Sequence, residues 1–194
     1  MPGAPGGRPV SFRAAPPLRI PTLAISLSLA SAALCAPPAA AEVYQAPETF
    51  LEEVFGGRVP EARAVWLTGE VRATAERILG HKPRALRVRY WRRGARSAWV
   101  LEEIGKSEPI TVGIAIEAGA IERIEVLVFR ESRGYEVRHP FFTEQFEGAT
   151  LTGEHELSRP IDGISGATLS VRALKKLARL ALYLDGRVDD HHAS

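Results

Sequence analysis

The sequence predicts an α+β fold: an antiparallel sheet of about four or more strands packed with helices, the last helix following a loop rich in small residues. Three observations carry this. Two stretches with apolar residues on a helical stripe open the folded part of the chain. The hydrophobic period then falls to two over four successive runs joined by tight turns. A long amphipathic segment closes the chain.

The chain has 194 residues, enough for one domain and an appendage. The appendage comes first. Arg8, Arg13 and Arg19 stand without any acid before an uncharged run from Ile20 to Leu34, and Ala39-Ala40-Ala41 follow. A basic region, a short apolar region and a small-x-small site read as a secretory signal peptide over residues 1–41. The apolar run is shorter than the ~20 residues that span a bilayer, which disfavours an uncleaved anchor. Leu34 is too bulky to precede a lipidated Cys35. All 23 acidic residues lie after Ala41 but only 22 of the 25 basic ones do, so the formal +2 of the whole chain becomes about −1 for the mature part. That balance does not call for nucleic acid. The single cysteine, Cys35, falls in the leader, so the mature part has neither a cysteine nucleophile nor a thiolate metal ligand.

Residues 42–109 form the N-terminal part of the domain. Pro47 to Phe55 reads as a helix, with Pro47 at its first position and Gly56-Gly57 as the stop. Ala64 to Leu67 is a short strand. Thr68 to Leu79 is a second helix, with Thr68 as N-cap and Gly80 as terminator. Leu86 to Trp91 and Ser97 to Ile104 alternate across Arg93-Gly94-Ala95 as a hairpin with one wet face, and Ile110 to Glu117 and Ile121 to Phe129 form a second hairpin around Ala118-Gly119-Ala120. Arg84, Arg87, Arg89, Arg92, Arg93 and Arg96 read as a solvated face, with docking of an acidic partner as the functional alternative. Trp66, Trp91 and Trp99 read as core or sheet-face residues.

Residues 110–185 form the functional core. Glu131 to Ile161 is irregular and carries aromatics and glycines, the kind of segment on which sites sit. A final helix over about Ser170 to Leu184 has Val171, Leu174, Leu177, Ala178, Ala181 and Leu182 on one stripe, and a polar, frayed tail follows from Asp185, with residues 186–194 outside the core. His81, His139 and His155 are too dispersed for a metal site, and Asp189-Asp190-His191-His192 reads as tail.

Between these lies Asp162-Gly163-Ile164-Ser165-Gly166-Ala167-Thr168. One reading is a helix cap by Ser165, Thr168 or Ser170. A nucleophile elbow is excluded by the 29 residues left downstream, too few for the acid and histidine of that arrangement. A third reading is a phosphate site, where a glycine-bearing loop enters a helix N-terminus with hydroxyls at hand. There is no Lys beside the hydroxyls, so a monophosphate or a phosphodiester fits better than a nucleoside triphosphate.

That segment resembles the flavinylation motif D-x-x-[ST]-G-A-[ST] of the FMN-binding domain family, which includes the C subunit of the sodium-pumping NADH:quinone oxidoreductase and the G subunit of the Rnf complex. Phe142-Thr143-Glu144-Gln145-Phe146-Glu147-Gly148 is similar to that family's F-x-x-Q-F-x-G segment. Glu131-Ser132-Arg133-Gly134-Tyr135-Glu136 keeps the Glu and first Gly of its E-T-P-G-L-G. The resemblance covers about Ile110 to Leu182. It implies FMN attached through its phosphate to Thr168 by a flavin transferase that uses FAD. Ser165, Gly166, Ala167 and Asp162 form the attachment loop, and Glu131, Gly134 and Tyr135 contact the cofactor. Tyr135 and Phe146 could pack on the flavin, against ordinary core packing as the alternative for each.

The implied protein is periplasmic, has no catalytic residue of its own, and relays electrons between a membrane-bound donor or acceptor and a further partner. The alternatives are a reductase with non-covalent FMN and a binding module whose small-residue loop only caps a helix.

Overall fold

A computed structural model of the chain describes residues 41–190. The expected leader, apart from Ala41, lies outside the described residues, as do His191 and His192. The elements are β1 (Glu42–Val43), α1 (Pro47–Phe55), β2 (Arg63–Trp66), α2 (Gly69–Leu79), β3 (Arg87–Arg93), β4 (Arg96–Ile104), β5 (Pro109–Glu117), β6 (Ala120–Phe129), α3 (Pro140–Thr143) and α4 (Thr168–Asp190), with 3-10 turns at Tyr135–Arg138 and Glu144–Phe146. The α+β expectation holds.

One six-stranded antiparallel sheet has the order β1-β6-β5-β4-β3-β2. The two expected hairpins are its centre. The β5–β6 turn places Ala118 and Gly119 at positive φ, 50° and 76°, the mirror-image turn whose twist suits a two-residue hairpin connection. Two strands extend the sheet beyond the four-strand pattern. β2 pairs with β3, Trp66 opposite Arg87, and β1 pairs with β6, Val43 opposite Val128. Two-residue β1 is too short to leave a periodic signal.

β5 is buried along almost its whole length because both faces of the sheet are covered there. On one face Ile110, Val112, Ile114 and Ile116 pack with Ala75 and Ile78 of α2 and Leu174, Leu177, Ala178 and Ala181 of α4. On the other, Phe50, Leu51, Val54 and Phe55 of α1 cover Ala98, Ala115 and Leu127. Gly56 and Gly80 end α1 and α2 in the left-handed conformation, as expected. Thr68 does stand at the N-cap of α2, but its side chain makes no capping hydrogen bond.

Two expectations are corrected. The last helix starts two residues before Ser170 and runs on through Asp190, so residues 185–190 are helix rather than a frayed tail. Asp185 is only 1 % exposed and Val188 is buried. The Asp185 carboxylate accepts a hydrogen bond from Ser97 Oγ at 2.6 Å and pairs with Arg92 at 3.2 Å, while Trp99 Nε1 donates to Ser97 Oγ at 2.8 Å. Arg92 is therefore not part of a solvated face: its side chain is 8 % exposed and points to α4. Of the three tryptophans, Trp99 is fully buried and stacks on Tyr90 at 5.1 Å, whereas Trp66 is 56 % exposed at the sheet edge.

The histidines serve separate neighbourhoods. His81 bonds the buried Glu103, His139 stacks on Phe141, and His155 packs edge-on to Tyr183. None of the described helices is long and apolar enough to cross a membrane.

Candidate functional site

The stretch from Ile161 to Ser170 is fixed at both ends before it reaches the helix. Ile161 is buried, and its carbonyl accepts from Lys175 Nζ of α4 at 3.3 Å. Asp162 is exposed, but its backbone N–H donates to Gln145 Oε1 at 2.7 Å, so the F-x-x-Q-F-x-G segment grips the start of the loop. Gln145 is in turn steadied by its own amide, which donates to the Phe141 carbonyl at 3.3 Å. The two phenylalanines of that segment, Phe142 and Phe146, are fully buried in edge-to-face contact, 5.5 Å between centroids. Phe146 is thus a core residue, and the polar residue between them faces the loop.

From Ile164 to Ala167 the chain makes a β-turn closed by the Ala167 N–H donating to the Ile164 carbonyl at 3.0 Å. Gly166, third in the turn, has φ +84°, as a type II turn requires. Ser165 and Gly166 are exposed, whereas Ala167 is buried. The Ala167 carbonyl then accepts the first bond of α4, from the Val171 N–H at 2.9 Å. Ala167 is therefore the N-cap, and a methyl group cannot accept from the free amides of the first turn. Thr168, exposed, is the first helical residue. The helix-cap reading of this loop thus loses its main support: the cap position holds the one residue type among the loop's small residues that cannot cap and is not glycine. The first turn of α4 carries no acid, which keeps the positive end of the dipole open to an anion.

Gly134 brings the second motif to the same place. It is buried with φ +88°, and a Cβ there would lie 2.7 Å from Ser170 Oγ and 3.5 Å from Ala167 Cα. The Gly134 backbone therefore lies directly against the start of α4. Beside it, Tyr135 is 47 % exposed, which sets aside ordinary core packing for this ring. Arg138 lies over Tyr135 at 5.8 Å and over Tyr44 at 4.3 Å. Burial, with a hydrogen bond from its hydroxyl to Glu42, pushes Tyr44 up to about 12. Two more large apolar side chains of these segments, Phe141 and Leu169, are also exposed. Three open apolar groups therefore stand on the segments that meet at Gly134–Ser170 and Gln145–Asp162.

Glu131 is employed differently from its neighbours. Its carboxylate gathers the backbone N–H groups of Lys106, of Ser107 at 2.6 Å and of Glu108 at 2.9 Å, with the Ser107 hydroxyl at 3.2 Å. Partial burial would raise its pKa, but these donors outweigh it and hold the group below the usual carboxylate value. The carboxylate fixes the β4–β5 loop at the root of the segment that ends in Gly134.

Of the eight residues singled out from sequence, Asp162, Ser165, Gly166, Ala167 and Thr168 form one loop, and Gly134 with Tyr135 abuts it. Glu131 supports from behind. Gln145 and Ser170 were not among them, although Gln145 is the one polar residue at a defined position of the F-x-x-Q-F-x-G segment and so was available as a signal. Arg138 and Lys175 had no comparable mark. Two clefts, one around Arg93 and Arg96 and one around Trp66, involve none of the loop residues.

An α+β domain that leaves an uncapped helix N-terminus bare, next to a backbone approach only glycine permits, defines a protein able to hold a phosphate-bearing cofactor on its surface. Residues 105–183, from the β4–β5 loop to α4, match the family model of the FMN-binding domain. The match supports FMN as the cofactor of this part of the chain. Its fold is similar to that of NqrC of Shewanella oneidensis in the crystal structure, with a TM-score of 0.50, 14 % identity, and coverage of 69 % of this chain and 82 % of that one. No curated protein matches the chain. The residues present fit the phosphate of FMN, since the exposed Thr168 opens a helix whose first turn carries no acid and whose cap residue, Ala167, leaves the first amides without a side-chain acceptor.

Proposed function

We propose that this protein is an extracytoplasmic flavoprotein carrying FMN on Thr168 through a phosphodiester and relaying electrons between a membrane redox partner and an acceptor. The observation that carries the reading is the position of Thr168: the last residue of a D-x-x-[ST]-G-A-[ST] sequence, exposed, and first in a helix whose cap residue is Ala167. Attachment forms an ester bond between Thr168 Oγ1 and the FMN phosphate of FAD. The phosphoanhydride bond breaks, AMP leaves with the bonding pair, and the hydroxyl proton passes to solvent. An external flavin transferase supplies the catalysis.

The chain's own residues hold the product. The amides of the first turn of α4 and the helix dipole favour the remaining negative charge by roughly 0.3–1 kcal/mol. Gly166 leaves the approach to Thr168 open, and Gln145 keeps the loop from swinging away from the sheet. Tyr135, Phe141 and Leu169 offer apolar surface to a ring system tethered at Thr168. FMN when bound supplies one- and two-electron chemistry. The leader-like segment 1–41 supports export, and a covalent link keeps the cofactor from being diluted away after it. The similarity to the C subunit of a membrane NADH:quinone oxidoreductase supports a redox partner in the membrane.

The test is the intact mass of the protein after co-expression with a flavin transferase, beside Thr168→Ala. A gain equal to FMN minus one water, absent in the variant, is the expected result. No gain, with the transferase active on a control protein, overturns the covalent reading. Yellow colour that separates from the chain on denaturing gel filtration would instead identify non-covalent FMN.

A further inference from the structure

Among the described residues no strand pairs with the outer edge of β2, and the two sides of the sheet there differ in a way the flavin site does not explain. On the outer side Trp66 is paired in register with Arg87 and Ala64 with Arg89, so these four side chains share a face. Arg87 lies over the Trp66 ring at 5.7 Å. From Arg84 to Leu101 the chain has six arginines and no acid. Arg92, Arg93 and Arg96 are engaged, with Asp185, with backbone carbonyls of the α1 region, and with Glu117 and Glu122. Among the described residues no carboxylate pairs with Arg84, Arg87 or Arg89, and all three are exposed. Helix α1 covers the sheet around Ala98, Ala115 and Leu127 and leaves Arg87 and Arg89 in the open.

On the other side the same strand borders a cleft of about 490 Å³ whose wall includes Val65, Val71, Tyr90 and Val188 together with Thr68, Glu70 and Arg187, the last two paired at 3.1 Å. An edge strand defended only against aggregation would carry charge alone. This one carries charge, a half-exposed indole and a cleft whose wall is partly apolar. The charge selects the occupant: Arg87 and Arg89, exposed and without a carboxylate partner among the described residues, favour an acidic strand beside β2.

We infer that β2 is a docking edge for an acidic protein partner presented as an extended strand. Its backbone adds to β2; its acidic side chains, alternating with apolar ones, meet Arg87 and Arg89 on the outer face while the apolar ones enter the cleft. Strand addition gives affinity through main-chain hydrogen bonds, and the period of two lets one segment satisfy both faces.

The full chain is tested with a short synthetic peptide of alternating valine and glutamate, and with its valine–lysine counterpart. The expected result is binding of the glutamate peptide, weakening as salt is raised, with slowed hydrogen exchange at the amides of Arg63 to Trp66. The double variant Arg87→Glu, Arg89→Glu alters two exposed side chains and should weaken binding on the order of tenfold. Its unfolding midpoint serves as the control for folding. No binding, equal binding of the lysine peptide, protection elsewhere than β2, or self-association through β2 overturns the inference. None of these readouts depends on FMN.

Discussion

Gly134 and Ser170 meet so closely that a methyl group on Gly134 would sit 2.7 Å from the Ser170 hydroxyl oxygen. That contact joins the segment after β6 to the first turn of α4 and sets where Thr168 stands. Gly134→Ala combines a clash with a side chain at φ +88°, so it should cost roughly 1–3 kcal/mol in urea unfolding. Adding Ser170→Ala removes the clash but not the backbone strain and should recover only part of the loss. Full recovery would mean that the backbone conformation is not under strain.

Thr168→Ser keeps a hydroxyl at the first helical position and should still gain the mass of FMN less water, more slowly because of the altered methyl. Thr168→Val, of nearly the same shape, should gain nothing. Modification of the valine variant would move the attachment to Ser165 or Ser170.

Gln145 holds the Asp162 amide at 2.7 Å. Gln145→Leu should leave the fold intact at a cost of about 1 kcal/mol while speeding hydrogen exchange at Asp162 and slowing flavin attachment. Unchanged exchange at that amide would show that the loop is held by Lys175 and the turn alone.

The Glu131 carboxylate is held below its usual value against a contribution from burial that raises it, by the donors of Glu108, Ser107 and Lys106. A depressed folded-state value means that the group adds stability above the unfolded-state value and loses it as pH falls through the folded one. Glu131→Gln should therefore be less stable than the parent at neutral pH, and the two curves should converge in acid. Parallel curves down to the acid limit would count against this linkage.

Asp185 pairs with an Arg92 side chain that is nearly buried. Asp185→Ala leaves that guanidinium inside without its carboxylate and should cost about 3–5 kcal/mol in thermal or urea unfolding. A loss under 1 kcal/mol would mean that Arg92 escapes to water.

What could be read from the sequence was local. α1 was bounded to the residue and α2 to within one, since proline, glycine and the 3.6-residue stripe all act within a few positions. Both hairpins followed from the alternation and their turns. The loop at Thr168 was legible because its chemistry lies in consecutive residues. The remainder depended on distant partners. Asp185 looks like the start of a polar tail until Arg92 and Ser97 arrive from the sheet 93 and 88 positions away. Arg92 looks like its exposed neighbours for the same reason. The grip of Gln145 on Asp162 and the fit of Gly134 against Ser170 come only from the folded path of the chain.

Helix α4 starts at Thr168 and has Arg187 and Val188 in the wall of the cleft beside β2. Nineteen helical steps separate Thr168 from Arg187, about 28 Å at 1.5 Å per residue. A molecule moored at the sheet edge therefore leaves the opposite end of this rod bare. With FMN on Thr168 and a partner on β2, as proposed, being held in place and exchanging electrons would not compete for the same surface, and a tighter mooring would not slow a visitor at the other end by standing in its way.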